Sequence, residues 1–218
     1  MPPGRKSRHA SSKVGNMGMM HLNGNVLCSI DFETTGLIAG FHDAIEVAVV
    51  PLDANLEPMK DVLPFNTMLK PKRPQNIDPE ALKVNGISLA QLEVQGMDAL
   101  KGADFFVEWY ERLNLVPGKK ICPLAKNWPF DRDFMKDWLG PHTFNSMFYH
   151  RFRDVTPVVE FFNDRADFQN LQAPFPQTAL EDVVSRMGLR YPTQAHRSLD
   201  DALMTAAVYR RLMFQFIK

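Results

Sequence analysis

The chain has 218 residues, of which 45% are hydrophobic, a size that suits one α/β domain and is too small for two large ones. Lys and Arg together number 25, as do Asp and Glu, so the chain as a whole is not the basic protein expected to bind nucleic acid by charge alone. No apolar run approaches the ~20 residues that cross a bilayer, and the N-terminus lacks the apolar segment of a signal peptide. We therefore expect a cytoplasmic protein without a membrane partner.

The N-terminal segment differs in composition from the rest of the chain. Residues 1–22 are rich in Gly, Ser and basic residues and have no apolar period, which predicts a disordered basic tail before a domain at 23–218. Weak nucleic-acid affinity and a functionally neutral extension are both compatible with such a tail. Because the tail is basic, the remainder carries an excess of acid, so any polyanion site there must be local or created by bound metal.

Three strands are predicted in the first third of the chain. Runs of apolar and β-branched residues, the first followed by a Thr-Thr-Gly turn at 34–36, indicate a three-stranded antiparallel start. These runs cover 26–32, 44–52 and 62–70. The cysteines, Cys28 and Cys122, fall in apolar strands without zinc-ligand spacing, so buried thiols are favoured over a disulfide.

Helices dominate the rest of the chain. A Thr-Ala-Leu-Glu capping box at 178–181 predicts a further helix that ends at Gly188, and the last helix begins near Ser198. Strands followed by alternating helices and strands favour a mixed sheet covered by helices. The other predicted elements are helices at 79–85, 88–95, 97–115 and 129–139 and a strand at 120–126.

Two carboxylates emerge together at the end of the first predicted strand. Side chains at i and i+2 share one face of a strand, so Asp31 and Glu33 point the same way. A hard divalent cation with oxygen ligands would offset their repulsion. The alternative is a solvated strand end, because acidic residues are usually exposed. The tight turn that follows favours a binding role, since it brings backbone N–H groups close to a ligand.

Asp131 stands just inside the helix predicted from residue 129. The helix dipole favours a carboxylate in this first turn, which would explain an isolated Asp without any function. Asp133 fits that explanation equally well. The apolar stripe of Phe130 and Phe134 separates the two acids, because Asp131 flanks the buried stripe and Asp133 turns toward solvent.

The sequence AHRSLDDA places His196 before the last helix and Asp201 in its first turn. Ser198 and Asp201 also match a helix-capping pattern, so Asp201 has a purely structural alternative. A single histidine is more often a surface residue than a catalytic base. Capping at this helix cannot explain the other three acids.

Together these segments resemble the DEDDh (DnaQ-like) family of 3′→5′ exonucleases, which includes the proofreading ε subunit of DNA polymerase III, oligoribonuclease and RNase T. The family motif xDxETTGL is matched by residues 30–37, and H-x4-D followed by a small residue is matched by His196, Asp201 and Ala202. The motif HNxxFDxxF is matched by Asn127, Phe130, Asp131 and Phe134.

This sequence departs from the family pattern at two positions. Lys126 stands where many relatives have His, and Asn85 stands where a His often precedes Gly-Ile. Neither position supplies a core ligand, so the departures bear on substrate preference more than on catalysis.

The resemblance implies an RNase H-like fold with a mixed five-stranded sheet flanked by helices. It also implies hydrolysis of phosphodiester bonds at single-stranded 3′ ends of DNA or RNA, with two Mg²⁺ or Mn²⁺ ions per site and release of nucleoside monophosphates. Asp31, Glu33, Asp131 and Asp201 would hold the ions, and His196 would act as general base. The terminal nucleotide would bind to Thr34, Thr35, Gly36, Leu37 and Asn127.

Two other functions and several partners stay open at this point. An RNase H-like endonuclease would use a similar acidic cluster, and a silent nucleic-acid-binding module would keep the fold without the reaction. Proofreading, repair and RNA trimming are all compatible with the motifs, as is a polymerase or a second copy of the chain as partner. The completeness of the five functional positions favours catalysis.

Overall fold

The computed structural model describes residues 22–191 and 196–215, so the predicted tail lies outside it except for Leu22, which is buried. Five strands form one sheet in the order β3-β2-β1-β4-β5. The pairs β1–β2 and β2–β3 are antiparallel, and β4 and β5 run parallel to β1. The predicted mixed sheet with an antiparallel start is therefore confirmed. The strands are β1 Val26–Thr34, β2 Ala44–Pro51, β3 Phe65–Met68, β4 Ile121–Ala125 and β5 Arg153–Asp154.

Eight α-helices cover this sheet in the described part of the chain. None of them is long and apolar enough to cross a bilayer. They are α1 Pro79–Asn85, α2 Leu89–Gln95, α3 Ala99–Arg112, α4 Trp128–Leu139, α5 Pro141–Met147, α6 Val155–Phe168, α7 Leu180–Arg186 and α8 Ser198–Gln215.

The alternation of side chains along the strands divides the core into two layers. Even-numbered residues of β1, such as Ile30 and Phe32, pack against α3, α4 and α5. Odd-numbered residues such as Leu27 pack with the helices α6, α7 and α8. Cys28 and Cys122 lie in opposite layers, and both are free and buried. The prediction of buried thiols is confirmed, because side chains on opposite faces of a sheet cannot form a disulfide.

The structure differs from the predicted elements in three respects. Strand β3 begins only at Phe65, because Pro64 has no N–H for the ladder and the Leu63 carbonyl instead accepts a 2.8 Å hydrogen bond from Trp109. The capping box at Thr178 is wrong, since the N-cap of α7 is Ala179 and no side chain caps it. Helices α5 and α6 and the two-residue strand β5 were not predicted.

An aromatic cluster holds α3 to the sheet, and Phe106 at its centre is fully buried. Its ring centroid lies 5.1 Å from that of Phe65, 5.4 Å from that of Trp109 and 5.6 Å from that of Trp138. Phe106→Ala should lower the free energy of unfolding by ~3–5 kcal/mol, because it removes apolar burial and leaves a cavity. Chemical denaturation measures this loss. Phe168, which is 91% exposed, is the matched control, and equal losses for both alanine variants would contradict the prediction.

Candidate active site

Three of the predicted acids meet where the C-terminal end of β1 faces α8. Asp31 and Glu33 lie on the face of β1 that α8 covers, and Asp201 projects from the first turn of α8. One carboxylate oxygen from each lies within 4.8 Å of the others. Such spacing suits a shared divalent cation with oxygen ligands.

Asp131 of α4 lies near the cluster, on the other side of β1. Its side chain is 3% exposed, and the backbone N–H of Phe32 donates to its carboxylate. Among the neighbouring charges, that of Asp131 has the largest effect in raising the pKa of Asp31. Asp133 of the same helix is exposed, so the predicted distinction between the two acids is confirmed.

The N-terminus of α4 depends on an acid from a neighbouring strand. Asn127, at the N-cap, has a left-handed backbone (φ +70°) and makes no capping bond with its side chain. The Asp154 carboxylate of β5 instead accepts hydrogen bonds from the N–H groups of Asn127 (3.0 Å) and Trp128 (2.8 Å). Sequence reasoning missed Asp154. Its local signal was an N-cap position before α6, where it also accepts from Thr156 N–H at 2.9 Å.

The four acids are costly to ionise together. Burial, followed by the charges of Asp131, Glu33, Asp201 and Glu46, raises the pKa of Asp31 well above its ordinary value. Burial and the charges of Asp201 and Glu46 raise the pKa of Glu33 to about 8. Burial also raises the pKa of Asp131 and of Asp201.

A bound divalent cation would relieve this cost. The Asp201 Oδ1 atom is buried and makes no hydrogen bond of normal geometry among the described residues, although the Tyr191 hydroxyl interacts with the Asp201 carboxylate and lowers its pKa. A cation could therefore take this oxygen as a ligand. An all-oxygen set of carboxylates fits Mg²⁺ or Mn²⁺ better than zinc, which usually recruits His or Cys. The residues at this position therefore fit the predicted metal.

His196 adjoins the cluster through its backbone. Its N–H donates to Asp201 Oδ2 at 3.1 Å, and its φ of +60° is left-handed. Its imidazole Nε2 lies 3.3 Å from Glu181 Oε1 of α7, and the side chain is 46% exposed. The structure thus brings the His196 backbone to the acids while the imidazole contacts Glu181.

Glu46 of β2 is a further acid beside this cluster, and the sequence did not reveal it; it is buried. It stands directly opposite Glu33 in the antiparallel pair. Its carboxylate binds the Arg197 guanidinium at 2.5 and 3.1 Å and the Ser198 N–H at 3.0 Å. The partners are about 150 residues away in sequence, so no local pattern could indicate them.

The Thr-Thr-Gly-Leu turn is held by its own side chains. The Thr34 hydroxyl donates to the Gly36 carbonyl at 2.7 Å, and the Thr35 hydroxyl accepts from Asp43 N–H at 2.9 Å. A Cβ at Gly36 would lie 2.3 Å from the His42 ring, so only glycine fits. Leu37, in contrast, is 77% exposed. Only the Leu37 side chain of this turn is therefore presented to a ligand.

An ion-pair network fixes the loop that follows this turn. Arg73 donates to Asp43 Oδ1 from Nε (2.9 Å) and Nη2 (2.7 Å), and it also binds the Gly40 carbonyl and Asp137 of α4. Lys72 binds Asp137 as well, at 3.1 Å. The loop is consequently tied to α4 on the side away from α8.

A hollow of about 350 Å³ opens beside Glu33. Its walls are mostly apolar, with Leu37, Phe130 and Val84 facing one another across it. Asn85 forms part of the wall and donates to the Thr34 carbonyl at 3.2 Å. Asn85, which stands where many relatives have His, therefore stabilises the Thr-Thr-Gly-Leu turn through this hydrogen bond.

The model of the exonuclease family named RNase T matches residues 28–209, which includes all five predicted catalytic positions. The chain belongs to this exonuclease family. The 3′-5′ DNA exonuclease Cap18 of Escherichia coli is 32% identical over 116 residues, or 53% of this chain and 58% of the relative. The chain thus spans little more than half the length of this curated relative. The DEDDh resemblance inferred from the motifs is confirmed.

Solved structures of other exonucleases share the fold. The zinc-bound form of the E. coli ExoI–ssDNA complex superposes with a TM-score of 0.67 at 18% identity, covering 88% of this chain and 41% of that one. The nuclease domain of 3′hExo, a DEDDh family member bound to rAMP, gives 0.59 at 18% identity, covering 87% and 92%. The predicted RNase H-like fold of this family member is confirmed.

The raised pKa of Glu33 makes a prediction about the metal-free exonuclease domain. A carboxyl group whose pKa is higher in the folded than in the unfolded state stabilises the fold below pH 4.5. This contribution to stability is lost as the pH rises through about 8. Glu33→Gln removes that loss. In chelating buffer the variant should match the wild type below pH 4.5 and be more stable above about pH 8 in chemical denaturation.

The matched control is Glu80→Gln, which changes an exposed carboxylate on the rim of the same hollow. It should leave stability unaltered at both pH values. Saturating Mg²⁺ should favour the wild type over Glu33→Gln, because the metal then compensates the carboxylate charge. Equal stability of Glu33→Gln and wild type above about pH 8 would contradict the prediction.

Proposed function

We propose that this protein is a metal-dependent 3′→5′ exonuclease that releases nucleoside monophosphates from the 3′ end of DNA or RNA. The observation that carries the proposal is the cluster of Asp31, Glu33, Asp131 and Asp201 beside the hollow at Glu33. Family membership supports the same activity. The E. coli relative, which is named a DNA exonuclease, makes DNA the first substrate to test.

The four acids would hold two divalent ions. Asp31 would contribute to holding both ions, and the effect of the charges of the other three acids on its pKa supports this role. Glu33 and Asp201 would complete one site, and Asp131 would support the other. Bound there, the ions would supply charge neutralisation at the phosphate and a more acidic water.

His196 would remove the proton from the hydrolytic water. For this its imidazole must leave Glu181, a surface pair in which both side chains are about half exposed. Exposed pairs of this kind contribute little free energy, ~0–1 kcal/mol, so the pairing does not oppose the movement strongly. The His196 N–H bond to Asp201 keeps the residue beside the site meanwhile.

The hollow at Glu33 would receive the terminal nucleoside. Its volume of about 350 Å³ lies within the ~300–1,000 Å³ typical of ligand pockets. Leu37 and Phe130 offer apolar surface to a base, and base stacking of this kind tolerates any sequence. Thr34, Thr35 and Gly36 would shape the backbone around the terminal nucleotide, since the threonine side chains and the carbonyl groups of these three residues already make hydrogen bonds. Asn127, exposed at the start of α4, would contact the substrate backbone.

Two other functions give different results in one assay. An endonuclease of this fold would cut a circular strand, whereas an exonuclease cannot start on it. A silent module would bind Mg²⁺ and nucleic acid without releasing nucleotides. The complete set of five functional positions, four acids and His196, favours catalysis over the silent module.

The principal test uses linear and circular single-stranded DNA of the same sequence. With Mg²⁺ the wild type should release mononucleotides from a labelled 3′ end and leave the circle intact. Asp131→Asn should reduce release by at least ~10²–10³-fold, because a charge-compensating ligand next to Asp31 is lost. The rate of nucleotide release is the measurement.

Asp133→Asn is the matched control, since Asp133 is the exposed acid two residues along the same helix. It should retain the wild-type rate. Asp31→Ala and Asp201→Ala should behave like Asp131→Asn while circular dichroism reports an intact fold. Cleavage of the circle, or full activity in these variants, would refute the proposal. Matched RNA and mismatched duplex ends in the same assay would rank the substrates.

The role of His196 has its own test. His196→Ala should lower turnover by ~10²–10⁴-fold, because a general base contributes that much, while Mn²⁺ affinity stays near the wild-type value. His142→Ala, at an exposed histidine of α5, controls for the loss of an imidazole elsewhere. Turnover in His196→Ala equal to that in His142→Ala would remove the general-base role.

A further inference from the structure

Glu46 occupies an unfavourable position unless another group compensates it. It is 1% exposed and directly opposite Glu33 across the β1–β2 pair. Like charges opposite each other in neighbouring strands destabilise a sheet. The Glu46 charge also adds to those that raise the pKa values of Asp31 and Glu33. A buried acid at this position requires a partner.

The compensating partner comes from the opposite end of the chain. Arg197 Nη2 lies 2.5 Å from Glu46 Oε1, and Arg197 Nε lies 3.1 Å from Oε2. This is the two-pronged geometry that a guanidinium makes with a carboxylate and that lysine cannot reproduce. The Ser198 N–H donates to Oε2 at 3.0 Å. Both carboxylate oxygens of Glu46 are thus engaged, which argues against Glu46 as a metal ligand.

Glu46 also caps α8. The Ser198 N–H is among the first of the helix, which have no partner within it. The Ser198 hydroxyl has no partner among the described residues, so the Ser-x-x-Asp capping pattern in the sequence is not formed. The Glu46 carboxylate therefore caps the helix in place of the Ser198 side chain.

The same contact controls the position of Asp201. The Arg197 carbonyl accepts from Asp201 N–H at 2.9 Å, and the His196 N–H donates to Asp201 Oδ2 at 3.1 Å. Arg197 lies between His196, which is bonded to Asp201, and Ser198, which is bonded to Glu46. Holding Arg197 and Ser198 to β2 consequently fixes the turn from which Asp201 reaches Asp31 and Glu33.

We propose that Glu46 and Arg197 form a positioning clamp that holds Asp201 against Asp31 and Glu33 for metal binding. The proposal rests on the metal-dependent function proposed above and deepens it. Neither residue contacts substrate or the reacting atoms in this proposal. Their effect is exerted through the backbone at the start of α8.

The clamp predicts weaker metal binding when either partner is changed. Glu46→Gln keeps an oxygen for Ser198 N–H and loses the charge, and Arg197→Gln breaks the pair from the other side. Residues that orient metal ligands typically contribute ~10–100-fold to metal affinity. Mn²⁺ affinity, measured without nucleic acid by electron paramagnetic resonance, should fall by that factor in both variants.

Activity should show the same effect as a metal requirement. The Mg²⁺ concentration for half-maximal nucleotide release should rise by a similar factor, and kcat at saturating Mg²⁺ should return close to the wild-type value. A contribution to stability alone would lower the active fraction at every Mg²⁺ concentration. The double variant Glu46→Gln/Arg197→Gln should be no worse than the poorer single variant, because both act through one contact.

A second ion pair in the same region serves as the control. Glu57, in the loop after β2, binds Arg210 of α8 at 3.1 Å, and both side chains are about half exposed. Glu57→Gln should leave Mn²⁺ affinity unchanged. Arg197→Lys keeps the charge and loses the fork, so it provides a milder test if Glu46→Gln does not fold.

Three results would overturn the clamp. They are wild-type Mn²⁺ affinity in folded Glu46→Gln or Arg197→Lys, lost activity that excess Mg²⁺ does not restore, and an equal loss in Glu57→Gln. A wild type that binds Mn²⁺ but releases no nucleotide would refute the proposed function and leave the clamp to be decided by Mn²⁺ affinity. A wild type that binds no Mn²⁺ would refute both.

Discussion

The repulsion among carboxylates gathered around the end of β1 is the constraint on which the rest of this structure depends. Asp31, Glu33, Asp131 and Asp201 are held where burial raises the pKa of each and where neighbouring acidic charges raise it further. Each ionised acid would be more stable in water than buried beside the others. The fold must therefore supply the free energy that keeps them together, and a bound cation would lower the cost by compensating their charge. Its large apolar layers on both sides of the sheet provide that energy.

The acids that come from helices are each anchored by a further acid from a strand. Asp131 belongs to the first turn of α4, whose first N–H groups bind Asp154 of β5. Asp201 belongs to the first turn of α8, whose Ser198 N–H binds Glu46 of β2. The two anchors lie on opposite sides of β1 in the order β3-β2-β1-β4-β5. In both cases a carboxylate matches the positive end of a helix dipole, so the anchoring acid and the helix stabilise each other.

This division also explains which features the sequence could predict. β1, α4 and α8 were found because apolar periodicity and short motifs are local. The acids of β1 and α4 followed from side-chain direction, and Asp201 of α8 followed from the family motif. Glu46 and Asp154 were missed because their partners are far along the chain or depend on a strand of only two residues. The direction of the His196 imidazole was equally inaccessible, since it follows from contact with Glu181 of another helix. The capping box at Thr178 failed because helix α7 starts later than the pattern indicates.

The two sides of the site are held differently, and this bears on how it would work. On the side of the hollow, Arg73 ties the loop after Gly36 to α4 through Asp43 and Asp137, so a nucleoside would meet a preformed wall. On the side of α8, the His196 N–H is bonded to Asp201 and the following residue, Arg197, is bonded to Glu46, while the His196 imidazole is about half exposed. Under the proposed mechanism the imidazole would reach the acids by rotation about its side-chain bonds, with the backbone bond to Asp201 kept. Such a rotation is fast compared with typical turnover, so a base that rests against Glu181 between cycles would not limit the rate.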